Sequence, residues 1–415
     1  LRYVFLETRL ISYDARLFFL ISSLGCRSSV SDTINPFKIR EMRNSFCLCF
    51  LLILATACAK KNPYHAVNKE DALAFARSLE ACAMGKAGDF DAQVIDETLF
   101  KERVAEKMIW PTSSLDMQLI PSMKDVRELM SQIRRQVGKT GHYKLLRVYT
   151  KDSMQHALFR MVHSGGGVNY HDFLLARRER KVRAADVYVY LSGEELSETM
   201  AGFMKMVVSR DGKVNQHKRY YFQLLEELRK KSESADYATA LQTFDALPDA
   251  LKTSKTSLMY GMISAKSLGY AEREEEMMVQ YRMNHHTVPD RMLLGIDYYY
   301  DRGQLDSSLL MINGLDSLLQ KDDYMQYLRA ALYAQTDRVD ESMELLEELV
   351  RIKDCMAPPV IMLAWLKANT GDLAGAAKLH RRYRRMPDAD ADEARRLTDE
   401  YPDLLKSKRA EGAQQ

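Results

Sequence analysis

The most constraining feature of this sequence is a rhythm. Ala235, Gly269, Gly303, Asp337 and Gly371 recur at one constant interval, each between two amphipathic stretches of helical period. Two residues past each marker come Tyr237, Ala271, Leu305, Val339 and Leu373. Nine past it stand Phe244, Met278, Ile312, Leu346 and His380, and twelve past it Leu247, Tyr281, Leu315, Leu349 and Tyr383. These offsets line one face of a helix, so each marker predicts a turn followed by a helix that packs on its predecessor. A turn of this kind favours a left-handed backbone, which glycine adopts without steric cost. Five residues past the marker, Ala240, Ser308, Ser342 and Ala376 are small enough for close helix approach, whereas Glu274 breaks the rule.

This register, with its constant spacing, resembles the tetratricopeptide repeat, over about five repeats between residues 216 and 390. Departures are the mostly absent aromatic of the first helix and a near-terminal proline met only approximately by Pro387. Such hairpins cannot bury their apolar faces alone, so the resemblance implies an all-α solenoid with a concave groove for a protein or peptide partner. Aligning the repeats turns Leu293, Asp297, Tyr300, Tyr324, Tyr327, Gln335, Trp365 and Asn369 toward that groove. Tyrosine and tryptophan there are plausible anchors, and the same residues could equally serve to pack the array. The family's clamp for a C-terminal carboxylate uses Lys, Asn and Arg where this chain has Leu293, Tyr327 and Ile361, so that mode is not expected. Residues 391–415 read as a capping helix and tail.

Residues 68–215 follow a different pattern. A helix capped by Asn68 runs through Ala83, a second covers about 91–107, and a third runs from about 123 to 137 before Gly138. The period then changes to two, with strands over 143–149, 154–163, 169–176 and 182–191, and a helix over 195–208. Helices followed by an antiparallel meander make an α+β module, loosely similar to cystatin-like and nuclear-transport-factor-like folds; that likeness carries no function. His171 and Asp172, with Glu194 and Glu195, are the residues that could be read as an acid–base site. Neighbours on a strand point to opposite faces, which argues against it. Gly165–Gly167 lies between strands rather than at a helix start, so it reads as a turn and not a phosphate loop. Arg177–Lys181 reads as a solvated hairpin tip, and Arg381–Arg385 as a solvated helix face.

Upstream, Met42-Arg43 precedes the apolar run Phe46–Leu54 and then Ala55-Thr56-Ala57-Cys58, the order of a secretory signal over 42–57. The last residues resemble a bacterial lipobox with Ala55 in place of the usual Leu, which implies lipidation at Cys58 and a tether over 58–67. Cleavage after Ala57 to give a soluble secreted product is the alternative. Residues 1–41 read as a spurious extension. With 60 basic against 57 acidic residues the chain has no general pull toward nucleic acid. Cys82 and Cys355 share no metal-binding spacing, and no motif demands a metal or cofactor. The expectation is a non-enzymatic, membrane-anchored, periplasm-facing lipoprotein of a bacterial cell envelope that serves as an interaction scaffold. The alternatives are a ligand-binding or hydrolytic cup positioned by the repeats, and a structural subunit of an envelope assembly.

Overall fold

Asn68 caps the first described helix. Its side chain accepts from Asp71 N at 2.7 Å, which satisfies one of the free amides of α1 (Lys69–Ala83). The computed structural model describes residues 66–86, 94–108, 129–163, 167–178, 180–207, 216–285, 287–352 and 355–405. The signal segment, Cys58 and residues 1–41 lie outside these.

The second helix is shorter than its apolar spacing predicts. Ile95 bridges to Ala184 as a parallel strand, and Asp96 then caps α2 (Glu97–Lys107) through Thr98 N and Leu99 N. Val94 and Ile95 are therefore buried as sheet residues and not as helix residues. A third helix, α3 (Leu129–Val137), ends at Gly138 in a left-handed conformation.

Five antiparallel strands follow in simple meander order: β1 (His142–Lys151), β2 (Met154–Val162), β3 (Val168–Arg178), β4 (Lys181–Val189) and β5 (Glu194–Glu195). The strand period puts Ala157, Phe159, His171 and Phe173 on one face and Leu158, Arg160, Tyr170 and Asp172 on the other. Helix α1 packs against β1, β2 and β4. The edge of β1 is engaged by α1, since Tyr143 N points to Met84 Sδ and Leu145 N donates to Glu80 Oε1 at 3.1 Å. At the other edge β4 is covered by β5 over Tyr188–Val189 and by Ile95 at Ala184. Helix α4 (Leu196–Val207) then packs on α2 and β4.

The rest of the described chain is helical. It comprises α5 (Gln216–Glu233), α6 (Tyr237–Ala246), the single turn α7 (Asp249–Lys252), α8 (Lys255–Ser267), α9 (Ala271–Asn284), α10 (Val288–Asp301), α11 (Leu305–Leu319), α12 (Asp323–Tyr333), α13 (Val339–Arg351), α14 (Ala357–Asn369), α15 (Leu373–Tyr383) and α16 (Ala391–Glu400), with a closing 3-10 turn at Pro402–Leu405. All five turn markers have positive φ: 62° at Ala235, 75° at Gly269, 68° at Gly303, 55° at Asp337 and 89° at Gly371. Each is followed two residues later by the first residue of a helix, namely Tyr237, Ala271, Leu305, Val339 and Leu373. The residues nine and twelve past each marker are buried, His380 included. The small residues at the fifth position make a repeated contact. Ser308 Oγ donates to Ile296 O at 2.9 Å, and one repeat later Ser342 Oγ donates to Ala330 O at 2.7 Å. Glu274, the exception, is buried with its carboxylate 3.3 Å from Arg302.

The sheet and the helices meet along one seam. Arg160, with no exposed surface, pairs with Asp322 at the start of α12, and Tyr170 donates to the other oxygen of Asp322 at 2.6 Å. Asp322 N in turn donates to Asp316 Oδ1 at 2.8 Å. On β1, Arg147 donates to Leu319 O at 2.6 Å and Lys144 lies 3.2 Å from Asp323. At the far end Lys255 donates to Ser192 O at 3.0 Å. There Gly193 is pressed so close to Thr287 and Asp290 that a Cβ would fall 2.3 Å from Thr287 Oγ1.

Candidate functional site

Of the eight positions expected on the groove, five are buried: Leu293 and Asp297 on α10, Tyr324 and Tyr327 on α12, and Trp365 on α14. Tyr324 and Tyr327 lie ring to ring at 5.7 Å, and the Arg160 guanidinium from the sheet sits 5.8 Å above Tyr324. Trp365 Nε1 donates to Glu393 Oε1 at 2.9 Å, and its ring meets Tyr401 edge-on at 5.9 Å. Asn369 is exposed and accepts from the Tyr401 hydroxyl. The open aromatic surface expected from the sequence is thus narrowed from both sides. The sheet covers one end and the C-terminal helix α16 the other. Tyr300 and Gln335 between them remain half-exposed and share hydrogen bonds, with Gln335 Nε2 donating to Tyr300 Oη at 2.8 Å.

Asp297 differs from its neighbours. Burial, with Asp301 and Glu274 nearby, pushes its carboxyl up to about 8 against the weaker pull of Lys266. The tyrosines are raised as well. Burial is the main cause at Tyr300, Tyr324 and Tyr327, so all three are neutral donors near pH 7.

The acid–base reading of the sheet separates onto two faces. His171 lies on the α1 side, 3.1 Å from the Tyr143 hydroxyl and near Asn169. Asp172 points the other way. Glu194 accepts from Thr199 at 2.5 Å, while Glu195 is held by Arg103 at 2.6 Å and Lys107 at 2.7 Å. Burial opposes ionisation of Glu195, but Lys107 and Arg103 prevail and hold its carboxyl below the usual range. His171, Asp172, Glu194 and Glu195 therefore form no common site.

Asp172 instead joins residues to which no sequence motif points. Tyr149 donates to its Oδ2, and His156 Nδ1 stands 3.3 Å from its Oδ1, with the Tyr149 and His156 rings stacked at 5.2 Å. Burial and the Asp172 carboxylate push the nearby Tyr190 hydroxyl up to about 12. In the tautomer that gives Nδ1–H to the carboxylate, Nε2 of His156 is an acceptor, the arrangement a proton acceptor needs. A cross-strand signal was present: β2–β3 pairing sets His156 opposite Leu174, diagonal to Asp172.

At the basic hairpin tip Arg180 and Lys181 are exposed, whereas the two arginines that precede them are tied down. Arg177 pairs with Asp71 of α1, and Arg178 lies 3.2 Å from Asp96. In the second basic run Arg382 donates to Val350 O at 2.6 Å, and Arg384 and Arg385 are exposed. Residues 164–166 of the glycine turn lie outside the described residues. Cys82 and Cys355 are free thiols. Among the described residues no helix is long and apolar enough to cross a membrane, and no group of three or more His, Cys, Asp or Glu stands where it could hold a metal ion.

No protein-family model matches this chain, and comparison with curated proteins gives no match.

Proposed function

We propose that this chain is a protein-interaction scaffold whose helical half is a tetratricopeptide-type array, anchored to a bacterial envelope membrane by lipid on Cys58 and facing the periplasm. The observation that supports the array is the repetition itself. Five turns of positive φ recur at a constant interval, and the Ser308–Ile296 contact recurs as Ser342–Ala330. Stacked hairpins of this kind bind through the inner helices. Here the sheet and α16 leave the stretch around Tyr300 and Gln335, together with Asn369, as the accessible part. The partner in this reading is a protein segment, and no cofactor is called for.

Crosslinking in the native envelope, followed by mass spectrometry, tests the reading. Tyr300→Ala with Gln335→Ala is expected to remove a specific crosslinked partner while leaving the thermal midpoint nearly unchanged. Retention of every crosslinked species in that variant refutes a role for the groove. Metabolic labelling with palmitate is expected in the native chain and lost in Cys58→Ala. Persistent label in that variant removes the anchor.

One observation favours a second reading, the ligand-binding or hydrolytic cup. Asp172 lies 3.3 Å from His156 Nδ1 on the sheet face opposite His171. If His156→Gln abolishes the envelope phenotype while the Tyr300/Gln335 variant retains it, the cup replaces the scaffold.

A further inference from the structure

Asp297 is 6 % exposed on α10, and among the described residues it forms no hydrogen bond or ion pair. Each charged group around it already has a partner. Lys266 is paired with Asp301, and Glu274 lies 3.3 Å from Arg302. Nor does the repeat call for a carboxylate here. The equivalent positions one repeat before and one repeat after hold Ile263 and Ala331, and the next holds Trp365. A carboxylate that replaces an apolar residue on the inner side of the array, with no hydrogen bond or ion pair and only the more distant charge of Lys266 to favour it, costs folding free energy in the unliganded chain.

Its surroundings suit a cation. Tyr300 stands one helical turn away, half-exposed and next to Gln335. Tyr324 lies close enough for its hydroxyl to feel the Asp297 charge, and its ring already takes the Arg160 guanidinium at 5.8 Å. A buried carboxylate whose charge reaches the hydroxyls of Tyr300 and Tyr324, with the Gln335 amide hydrogen-bonded to Tyr300, complements an alkylammonium or guanidinium group. It does not complement a metal ion, which needs several hard ligands.

We infer that Asp297 is the seat for a lysine or arginine side chain of the partner segment. This rests on the groove reading above and gives it a chemistry. On binding, the partner's cation enters charged, Asp297 gives up its proton to solvent, and the buried ion pair so formed is neutral overall. Where the free carboxyl is still protonated, binding therefore releases about one proton.

The test uses the full chain carrying carboxyl-13C aspartate at about pH 7, with the Asp297 resonance identified by its loss in Asp297→Asn. The probes are n-butylammonium and n-butylguanidinium chloride, with n-butanol and sodium chloride as controls. The expected result is a saturable move of that resonance to the ionised position with either cation and no move with the controls. The Asp297→Asn chain should keep its fold and bind the cations at least tenfold more weakly. A resonance that stays at the protonated position at the highest probe concentration, or that moves equally with n-butanol, overturns the inference. If it stays while Tyr300→Ala with Gln335→Ala still loses the crosslinked partner, the cation seat fails and the groove survives. A cation response with no effect of that double variant leaves the seat and removes the groove.

Discussion

Replacing Asp322 with alanine probes the joint between the sheet and the helices. Two donors lose their acceptor at once. Arg160 has no exposed surface and Asp322 is 2 % exposed, so the guanidinium is left charged in a site that water does not reach. Removing one partner of such a pair costs about 3–5 kcal/mol. The Tyr170 hydroxyl, left without its 2.6 Å bond, adds about 1–3 kcal/mol. The two losses share one vacated space and do not add fully, so about 5 kcal/mol is expected. A chain of this size has on the order of 5–15 kcal/mol in all, which puts the variant near unfolding. Arg160→Met combined with Asp322→Leu should recover most of the loss, because a filled apolar contact replaces the pair without stranding a charge. The assay is urea unfolding of Asp322→Ala, of Arg160→Met and Asp322→Leu singly, and of the double, followed by circular dichroism and by fluorescence. A cost below about 1 kcal/mol for Asp322→Ala, or a double variant as unstable as the sum of the singles, refutes the argument.

Other consequences are smaller and independent. Ala235 holds a left-handed turn at φ 62° without being glycine, so Ala235→Gly should stabilise by about 1 kcal/mol, read as a rise in the thermal midpoint. Burial and then Arg160 push the His142 imidazole down to about 3 from its usual 6.5. The unfolded chain therefore binds a proton there that the folded chain refuses. The contribution is complete above about pH 6.5 and falls as pH drops toward 3. His142→Gln should flatten that part of the stability curve. Asp297 has the opposite sign in effect. Its folded carboxyl titrates near 8 against 3.8 when unfolded, so its penalty is absent below 3.8 and grows until about 8. Asp297→Asn should then stabilise the unliganded chain by a few kcal/mol at about pH 8 and leave it unchanged at about pH 4, by denaturant titration at both.

The repeat was legible because its cues are local. Turn residues, apolar spacing and small residues recur at a fixed offset, and even non-glycine Ala235 and Asp337 adopt the expected backbone. The sheet was legible from its period of two, and the separation of His171 from Asp172 follows from strand geometry. What could not be read is contact between distant segments. Arg160 and Asp322 are far apart in the chain, and each looks in sequence like an ordinary surface charge. Once they pair, the sheet covers Tyr324. In the same way Glu393 and Tyr401 come over Trp365 and Asn369 because the last helix folds back across them. The start of the second helix departs from its sequence pattern for a similar reason. Val94 and Ile95 fit an apolar helical face, but pairing with Ala184 claims them for the sheet.

The partly engaged edges of that sheet bear on how this protein can meet others. An added strand needs a row of free amides and carbonyls, and a sheet that offers one can recruit any extended segment, including another copy of itself. Here Glu80 and Met84 already engage the β1 edge at Leu145 and Tyr143, while β5 and Ile95 take up stretches of β4. Side-by-side strand addition, the least selective way for chains to associate, is thereby obstructed at both ends of the sheet.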